Sequence, residues 1–318
     1  MFSIIIPSFH GKNLLSNNLS SVLDAANNSN HPFEIILVDD GYDYSTHQFI
    51  LSSNYSIRYI YSISNTGFSR ACNFGARLSH GDILIFLNND MFIDINCFKS
   101  LPDIFHSYNR LFGVRFAIRN TQLEPFTDSS TLSFIPNIYR GFISVNILSN
   151  NHPADQSFPL IFSLSGGACA INRSLFFECG GFDTIYSPFY WEDTDLSLSA
   201  WLDGYHIRYA FNSFVYHTPH STINNINQRY VSYVSKRNRY IFIWKHCNEW
   251  YVFITHIFWM ISRLLFSIPF QLFNNIFSLI LTLKLIHKLF IYRRGKGKYR
   301  YFSQSFLSYL NNIYSNLY

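Results

Sequence analysis

Charged side chains are scarce in this chain: only 14% of its 318 residues are Asp, Glu, Lys or Arg, against 48% apolar. That balance excludes a disordered or fibrous protein. Cysteine is also thin. The five present (Cys72, Cys97, Cys169, Cys179, Cys247) are odd in number and never form a C-x-x-C pair. A disulfide framework and a zinc module are therefore not implied, and a reducing compartment fits. The N-terminus lacks a basic region, and its apolar run Ser3-Ile4-Ile5-Ile6-Pro7 is too short for a secretory leader. It reads as a first strand, and the expected location is the cytoplasm.

Acids are nearly missing from one part of the chain. Residues 229–300 hold 13 Lys/Arg against the single Glu249, a balance of +12. Residues 1–228 hold 11 Lys/Arg against 18 Asp/Glu, a balance of −7. The division predicts an acidic body, 1–228, and a basic, apolar extension, 229–318. What is abundant is aromatic: 33 Phe and 22 Tyr, suited to a deep core, a membrane surface, or both. The length allows one large domain with an appendage.

The first half alternates apolar runs with helical spacing. Ser3–Ile6 is followed by Leu15, Leu19, Val22 and Ala26, the face of a helix. Then come Phe33–Val38, Ile57–Ile63, a helical pattern over 68–79, and Ile83–Leu87. Continuous rather than alternating strands, separated by helices, predict an α/β fold whose parallel sheet is covered on both faces. Ligands of such sheets bind at the carboxyl ends of the strands. Polar clusters stand there: Pro7-Ser8, Asp39-Asp40 and Asn88-Asn89-Asp90. Residues 120–160 show little pattern and read as a surface excursion. Beyond them lie Phe162–Ile171, a turn at Gly180-Gly181-Phe182-Asp183, a helix over Trp191–Leu202 and a strand over Ile207–Phe214.

In the extension, Leu264–Leu283 runs for 20 residues without charge, long enough to span a bilayer. Pro269, Gln271, Asn274 and Asn275 interrupt it. Helices lying in the interface, drawn to anionic lipid by Arg263, Lys284 and Lys288, are the preferred reading. A helical hairpin packed on the body, or a true span, is the alternative.

Each polar cluster has a structural reading as well as a chemical one. Asp39-Asp40 before Gly41 makes a good turn, yet two carboxylates can also accept from ribose hydroxyls or a base N–H. Asn88-Asn89-Asp90 can cap a strand end, or hold Mg²⁺ or Mn²⁺ through oxygen with room for phosphate. In Trp191-Glu192-Asp193-Thr194-Asp195, three acids favour a helix N-terminus, or one of them serves as general base. His217 and His220 follow the last strand, where a histidine could complete a metal shell with Asp90.

Their order changes the odds. Ile-Pro-Ser, Val-Asp-Asp-Gly, Asn-Thr-Gly-Phe-Ser-Arg-Ala-Cys-Asn-Phe-Gly with Gly-Asp, Leu-Asn-Asn-Asp, Ser-Gly-Gly-Ala, Gly-Gly-Phe-Asp, Glu-Asp-Thr-Asp-Leu and a closing His follow one another over residues 2–221. Together they resemble glycosyltransferase family 2, the inverting enzymes with the GT-A nucleotide-sugar fold, in its bacterial rhamnosyltransferase-like branch. The resemblance implies that one sugar passes from a nucleotide-diphosphate sugar to a glycan or lipid-linked saccharide acceptor, in cell-surface polysaccharide synthesis.

It also implies roles. Pro7, Ser8, Asp39 and Asp40 would line the base and ribose pocket, and Asn65, Gly67, Arg70 and Asn73 the donor's other side, with Asn88 and Asn89 beside them. Asp90 and His217 would hold a divalent cation, Mn²⁺ or Mg²⁺. Asp193 would be the catalytic base, supported by Glu192 and Asp195. The chain departs from the family's D-x-D metal motif, having Asn88 at the first acid. The Gln-x-x-Arg-Trp signature of processive synthases is absent, which implies one sugar per encounter. The charge split and the basic, aromatic tail predict a cytoplasmic protein held peripherally at the inner face of the cell membrane.

Three rival readings compete with this one. A sugar-phosphate nucleotidyltransferase would carry a Gly-rich basic loop after the first strand, where this chain has Ser8-Phe9-His10-Gly11-Lys12-Asn13. Nucleic-acid binding fits poorly with basic residues interleaved among aliphatic runs. A non-catalytic membrane-surface binding protein that kept the fold is the alternative that Asn88 sustains.

Overall fold

The computed structural model describes residues 1–119, 134–139, 142–147, 158–217, 227–247, 249–267 and 269–288. Strand and helix alternate through β1 (Phe2–Ser8), α1 (Lys12–Asn28), β2 (Phe33–Asp40), α2 (Tyr44–Ser52), β3 (Arg58–Ser62), α3 (Phe68–Leu78) and β4 (Ile83–Leu87). Next come β5 (Met91–Ile93), α4 (Leu101–Ser107), β6 (Leu111–Arg119), β7 (Phe134–Tyr139) and β8 (Phe142–Ile147). The chain continues with β9 (Ala168–Asn172), α5 (Arg173–Glu178), a 3₁₀ turn Thr184–Tyr186, α6 (Glu192–Leu202) and β10 (His206–His217). Three further helices follow: α7 (Gln228–His246), α8 (Trp250–Leu265) and α9 (Pro269–Leu283).

Eight strands form one sheet in the order β3-β2-β1-β4-β9-β6-β10-β5. β1 pairs in parallel with β2 and β4, β2 with β3, and β6 with β10. Between the two parallel groups lies β9, antiparallel to both β4 and β6. β5 pairs antiparallel with β10 at the edge.

Because side chains alternate across a strand, a strand with both faces covered must be apolar at every position. β1 shows this directly. Ile4 and Ile6 pack with Ile35, Leu37, Ile85 and Leu87 beneath α1, whereas Ile5 packs with Ile36, Val38, Leu84 and Phe86 beneath α3, α6 and α7. Each such side chain contributes about 1.5–3 kcal/mol on full burial. The expected α1 face is the buried one: Leu15, Leu19, Val22 and Ala26 are all within 3% of full burial.

Two elements differ from the sequence reading. The stretch 120–160, expected to lack pattern, contains β7 and β8, an antiparallel pair flanking Arg140-Gly141. An X-Gly dipeptide between two β-rich runs is a hairpin signal, hidden here by the surrounding Ser, Asn and Pro. The remainder of that stretch up to residue 157, and His220, lie outside the described residues. The acid helix also begins one residue later than expected, at Glu192, because Trp191 has φ +78 and caps it.

The expected boundary at 228/229 falls at the start of α7, and α7 packs into the body. Its Tyr240, Ile241, Phe242 and Ile243 belong to the same core cluster as β1 and β4. α8 and α9 lie outside that core for most of their surface. On α9 the usual arrangement is inverted: Asn274, Asn275, Ser278 and Thr282 are buried, while Phe273, Ile276, Ile280 and Leu283 are exposed. Ser278 and Thr282 satisfy their hydroxyls on carbonyls one turn back, and Asn275 accepts from Lys236 of α7 at 2.7 Å. Among the described residues, no helix is long and apolar enough to cross a membrane.

Candidate active site

The carboxyl ends of β1, β2 and β4 lie side by side, as the register Ser8↔Asp39 shows. Asp39 and Asp40 are both buried there but do different work. Asp40 is fully engaged: one oxygen accepts from Ser62 Oγ and from Thr66 N and Oγ1 at 2.7–2.8 Å, the other from Gly67 N at 2.7 Å. It orders the loop between β3 and α3. Asp39 accepts through Oδ2 from Asp43 N (2.7 Å) and Tyr59 OH (2.5 Å). Its Oδ1 is buried and finds no partner among the described residues. Burial, reinforced by the Asp39 carboxylate, pushes the Tyr59 hydroxyl upward, so Tyr59 stays a donor.

Several other expected donor residues are committed to structure. Asn73 closes on Phe182 in both directions, accepting from its N–H at 3.0 Å and donating to its carbonyl at 2.7 Å. Asn89 donates to Ser8 Oγ at 2.9 Å, joining β4 to β1. Asn65 accepts from Gly67 N at 3.0 Å and is exposed, as is Arg70 in the first turn of α3. Pro7 is half-buried beside them. Gly67 has φ +91, and a Cβ there would stand 2.9 Å from Pro188 Cα. The glycine thus accommodates the loop before α6.

Asp90 is buried, and His217 at the end of β10 places Nε2 3.2 Å from its Oδ2. The hydrogen bond to Asp90 raises the His217 imidazole above its ordinary value, against the opposing pull of burial. Asp90 Oδ1 is also buried without a partner among the described residues. Beside it, Asn88 packs on Gly167 so tightly that a Cβ at Gly167 would lie 2.3 Å from Asn88 Cγ. The Asn88 N–H donates to the Gly167 carbonyl at 2.9 Å.

The same Gly166-Gly167 turn meets the acid helix on its other side. Gly166 N donates to Asp193 Oδ2 at 3.1 Å, and Asp193 Oδ1 accepts from Thr194 N at 2.7 Å. Asp193 remains half-exposed. Glu192 is 6% exposed, and its Oε2 has no partner among the described residues. Burial, then the charge of Asp193, pushes the Glu192 carboxyl well above the usual range. Asp195 faces the interior, accepting from Tyr186 OH at 2.8 Å and bonding Lys245 Nζ (2.7 Å) and His246 Nε2 (2.6 Å) of α7. These bonds anchor the first turn of α6 to α7.

A model of glycosyl transferase family 2 matches residues 3–179, more than half of the chain. The chain belongs to glycosyl transferase family 2. It is 27% identical over 231 residues to an uncharacterized glycosyltransferase of Haemophilus influenzae, covering 70% of this chain and 71% of that protein. The crystal structure of GalNAc-T7 with UDP, GalNAc and Mn²⁺ superposes with a TM-score of 0.64 at 15% identity, over 95% of this chain and 58% of that one. S. aureus TarS residues 1–349 superpose with a TM-score of 0.54 at 15% identity, over 84% and 72%. A mannosyltransferase of Pyrobaculum calidifontis, solved with GDP-Man and Mn²⁺, gives 0.52 at 13% identity, over 100% and 87%. These likenesses establish the GT-A-like fold, with its mostly parallel sheet and C-terminal helices.

In this family 2 chain, the residues present suit a divalent cation in part. Asp90 offers an unspent buried oxygen and His217 a ring nitrogen next to it. No three His, Cys, Asp or Glu side chains converge on one point among the described residues. Two protein donors make a sparse set, appropriate to a cation that shares its shell with phosphate oxygens. Sequence reasoning missed α7 altogether as a support of the site. Its Lys-Arg-Asn-Arg run (236–239) and Lys245-His246 entered only the tail's positive balance, yet Arg237 and Lys245 are buried, and Lys245 also reaches Asp183 at 2.6 Å. A useful signal was their position inside an otherwise aromatic helix.

Proposed function

We propose that this glycosyltransferase moves one sugar, with inversion, from a nucleotide-diphosphate sugar to a saccharide or lipid-linked acceptor in bacterial cell-surface polysaccharide synthesis. The carrying observation is a set of three carboxylates: Asp39 and Asp90, at the carboxyl ends of β2 and β4, each keep a buried oxygen with no partner among the described residues, and half-exposed Asp193 is held by the Gly166-Gly167 turn that also packs on Asn88. Asp39 Oδ1 would accept from the base N–H, with Pro7 and Ser8 beside it. Arg70, at the amino end of α3, would meet the diphosphate, where both its charge and the helix dipole favour an anion. A divalent cation, Mn²⁺ or Mg²⁺, held by Asp90 and His217 would supply Lewis-acid stabilisation of the charge on the diphosphate.

In this reading Asp193 takes the proton of an acceptor hydroxyl as that oxygen attacks the anomeric carbon. The new C–O bond forms opposite the departing diphosphate, whose bond breaks, so one displacement inverts the configuration. Glu192, buried beside it and raised by that burial, is disfavoured as the charged partner. Asp193→Asn should reduce transfer by about 10²–10⁴-fold while nucleotide binding is kept. The deciding experiment is a thermal-shift screen with UDP, dTDP, GDP and CMP, each with and without Mn²⁺. A metal-enhanced shift with one nucleotide supports the donor site and tests the rhamnosyltransferase-like branch. A folded protein that shifts with none favours a binding protein without turnover, the reading that Asn88 sustains.

Membrane association at the inner face belongs to the same proposal. Trp250, Ile254, Phe258, Ile261 and Leu265 make an exposed stripe at helical spacing along α8. The outward apolar stripe of α9 continues that pattern, with Lys284 and Lys288 exposed at its end. Apolar residues out and amides and hydroxyls in is the arrangement of a helix whose outer medium is lipid.

A further inference from the structure

The acid pair is approached through strained backbone. Tyr190 has φ +72 and Trp191 φ +78, two consecutive non-glycine residues in the left-handed region. Such conformations are costly for residues with a Cβ and persist only where surrounding contacts over-determine them. The N-cap residue Trp191 makes no side-chain cap bond to the start of α6. The determining contacts come from α7.

Asn238 is fully buried on α7. Its amide nitrogen lies 2.7 Å from the Tyr186 carbonyl oxygen and 2.9 Å from those of Phe189 and Tyr190. These acceptors sit on the interior loop that leads to Trp191, where an unpaired carbonyl would be costly. Arg237 sets the orientation of that amide: its Nε and Nη2 donate to Asn238 Oδ1 at 2.9 and 2.6 Å. The same Nη2 reaches the carbonyls of Tyr186 (3.2 Å) and Ser187. One helical turn further along α7, the Phe242 ring packs on Trp191 with centroids 5.2 Å apart. Packing alone would ask only for an apolar side chain at 238. A donor is required because the loop turns its carbonyls inward to give the next residues a left-handed bend.

We propose that Asn238, oriented by Arg237, is a positioning residue: it holds the Tyr190–Trp191 bend and thereby aims Asp193 at the acceptor. The assignment rests on Asp193 being the base, but the clamp on residues 186–191 can be measured without it. Loss of the donor lets the bend relax toward negative φ, which swings the first turn of α6. A misplacement of about 1 Å at a reacting group can cost on the order of 10²-fold in rate.

The test is hydrogen–deuterium exchange on the full chain, comparing wild type, Asn238→Ala and Arg237→Lys, alongside nucleotide thermal shifts and donor turnover. Asn238→Ala should speed exchange at amides 186–195 by about tenfold or more, with β1, β2 and β4 unchanged. The nucleotide shift should persist, and kcat should fall at least about tenfold with donor KM within about twofold. Tyr190→Gly added to Asn238→Ala should recover part of the lost kcat, since glycine adopts positive φ freely. Wild-type exchange at 186–195, or faster exchange spread evenly over the sheet, overturns the proposal. So does a joint loss of kcat and nucleotide binding. Should Asn238→Ala not fold, Arg237→Lys decides in the same way, with a smaller rise expected in the same segment. Faster local exchange in a protein whose wild type transfers no sugar would keep the clamp and sink the enzymatic reading instead.

Discussion

Lys245 Nζ lies 2.7 Å from Asp195 Oδ2, with side chains 1% and 4% exposed, so a buried ion pair joins α7 to the helix that carries the acid pair. Burial opposes the Asp195 charge, but Lys245 and His246 outweigh it and hold the carboxyl well below its usual range. Removing one partner leaves the other charged in the interior. Lys245→Ala should therefore cost about 3–5 kcal/mol in urea unfolding at pH 7. A loss below about 1 kcal/mol would show the pair to be ornamental.

Asp195 also fixes an acid dependence. Its folded value is depressed, so its contribution is present above the unfolded value of about 3.9 and fades as pH falls toward the folded one. The stability gap between wild type and Asp195→Asn should be widest near pH 7 and shrink below about pH 4. A gap that stays constant down to pH 3 contradicts the assigned cause.

Glu192 runs the other way. Its folded value is raised, so folding takes up a proton once pH passes the unfolded value of about 4.3, and stability falls as pH climbs. Glu192→Gln keeps the shape and removes the titration. Melting curves should show the variant gaining on wild type between pH 5 and pH 8. Parallel curves would mean that the Glu192 carboxyl is not raised.

Asp90→Ala should leave metal-free nucleotide binding close to wild type and remove the increment that Mn²⁺ adds. Calorimetric titration with the responsive nucleotide measures both. An undiminished Mn²⁺ increment would take Asp90 out of the metal site.

For the membrane surface, the discriminating change is on α9. Ile276→Asp with Ile280→Asp places two charges on the outward stripe and touches no buried residue. Flotation with vesicles containing anionic lipid should be lost while the unfolding midpoint stays near wild type. Unchanged flotation would move the lipid contact elsewhere.

How much of this was legible follows from the residues. β1 to β4 could be read because strands covered on both faces leave continuous apolar runs, and α1 because its buried positions keep helical spacing. Asp39, Asp90, Asp193 and His217 could be proposed for the site because the motifs that carry them have a fixed order. Asp40, Asn73 and Asn89 were also expected beside the donor, and the bonds they make to a loop, a turn and a neighbouring strand could not be read from the sequence. Only the third dimension reveals such commitments. Asn238 and Lys245 were hidden by their own chemistry, since polar residues on a basic, aromatic helix read as surface. α9 misleads in the opposite sense, burying its amides and showing its aliphatics.

The insertion of β9 between β4 and β6 has a consequence for biosynthesis. β4 pairs with residues 81–89 positions downstream, Leu87 with Ala168 and Ile83 with Asn172. Until the ribosome has released residue 172, the strand Ile83-Leu84-Ile85-Phe86-Leu87 is an open apolar edge on a growing four-stranded sheet. Such edges template association with other chains, and long-range pairings close slowly. The nascent protein thus passes through a period, set by translation speed, in which β4 is open to pairing with other chains.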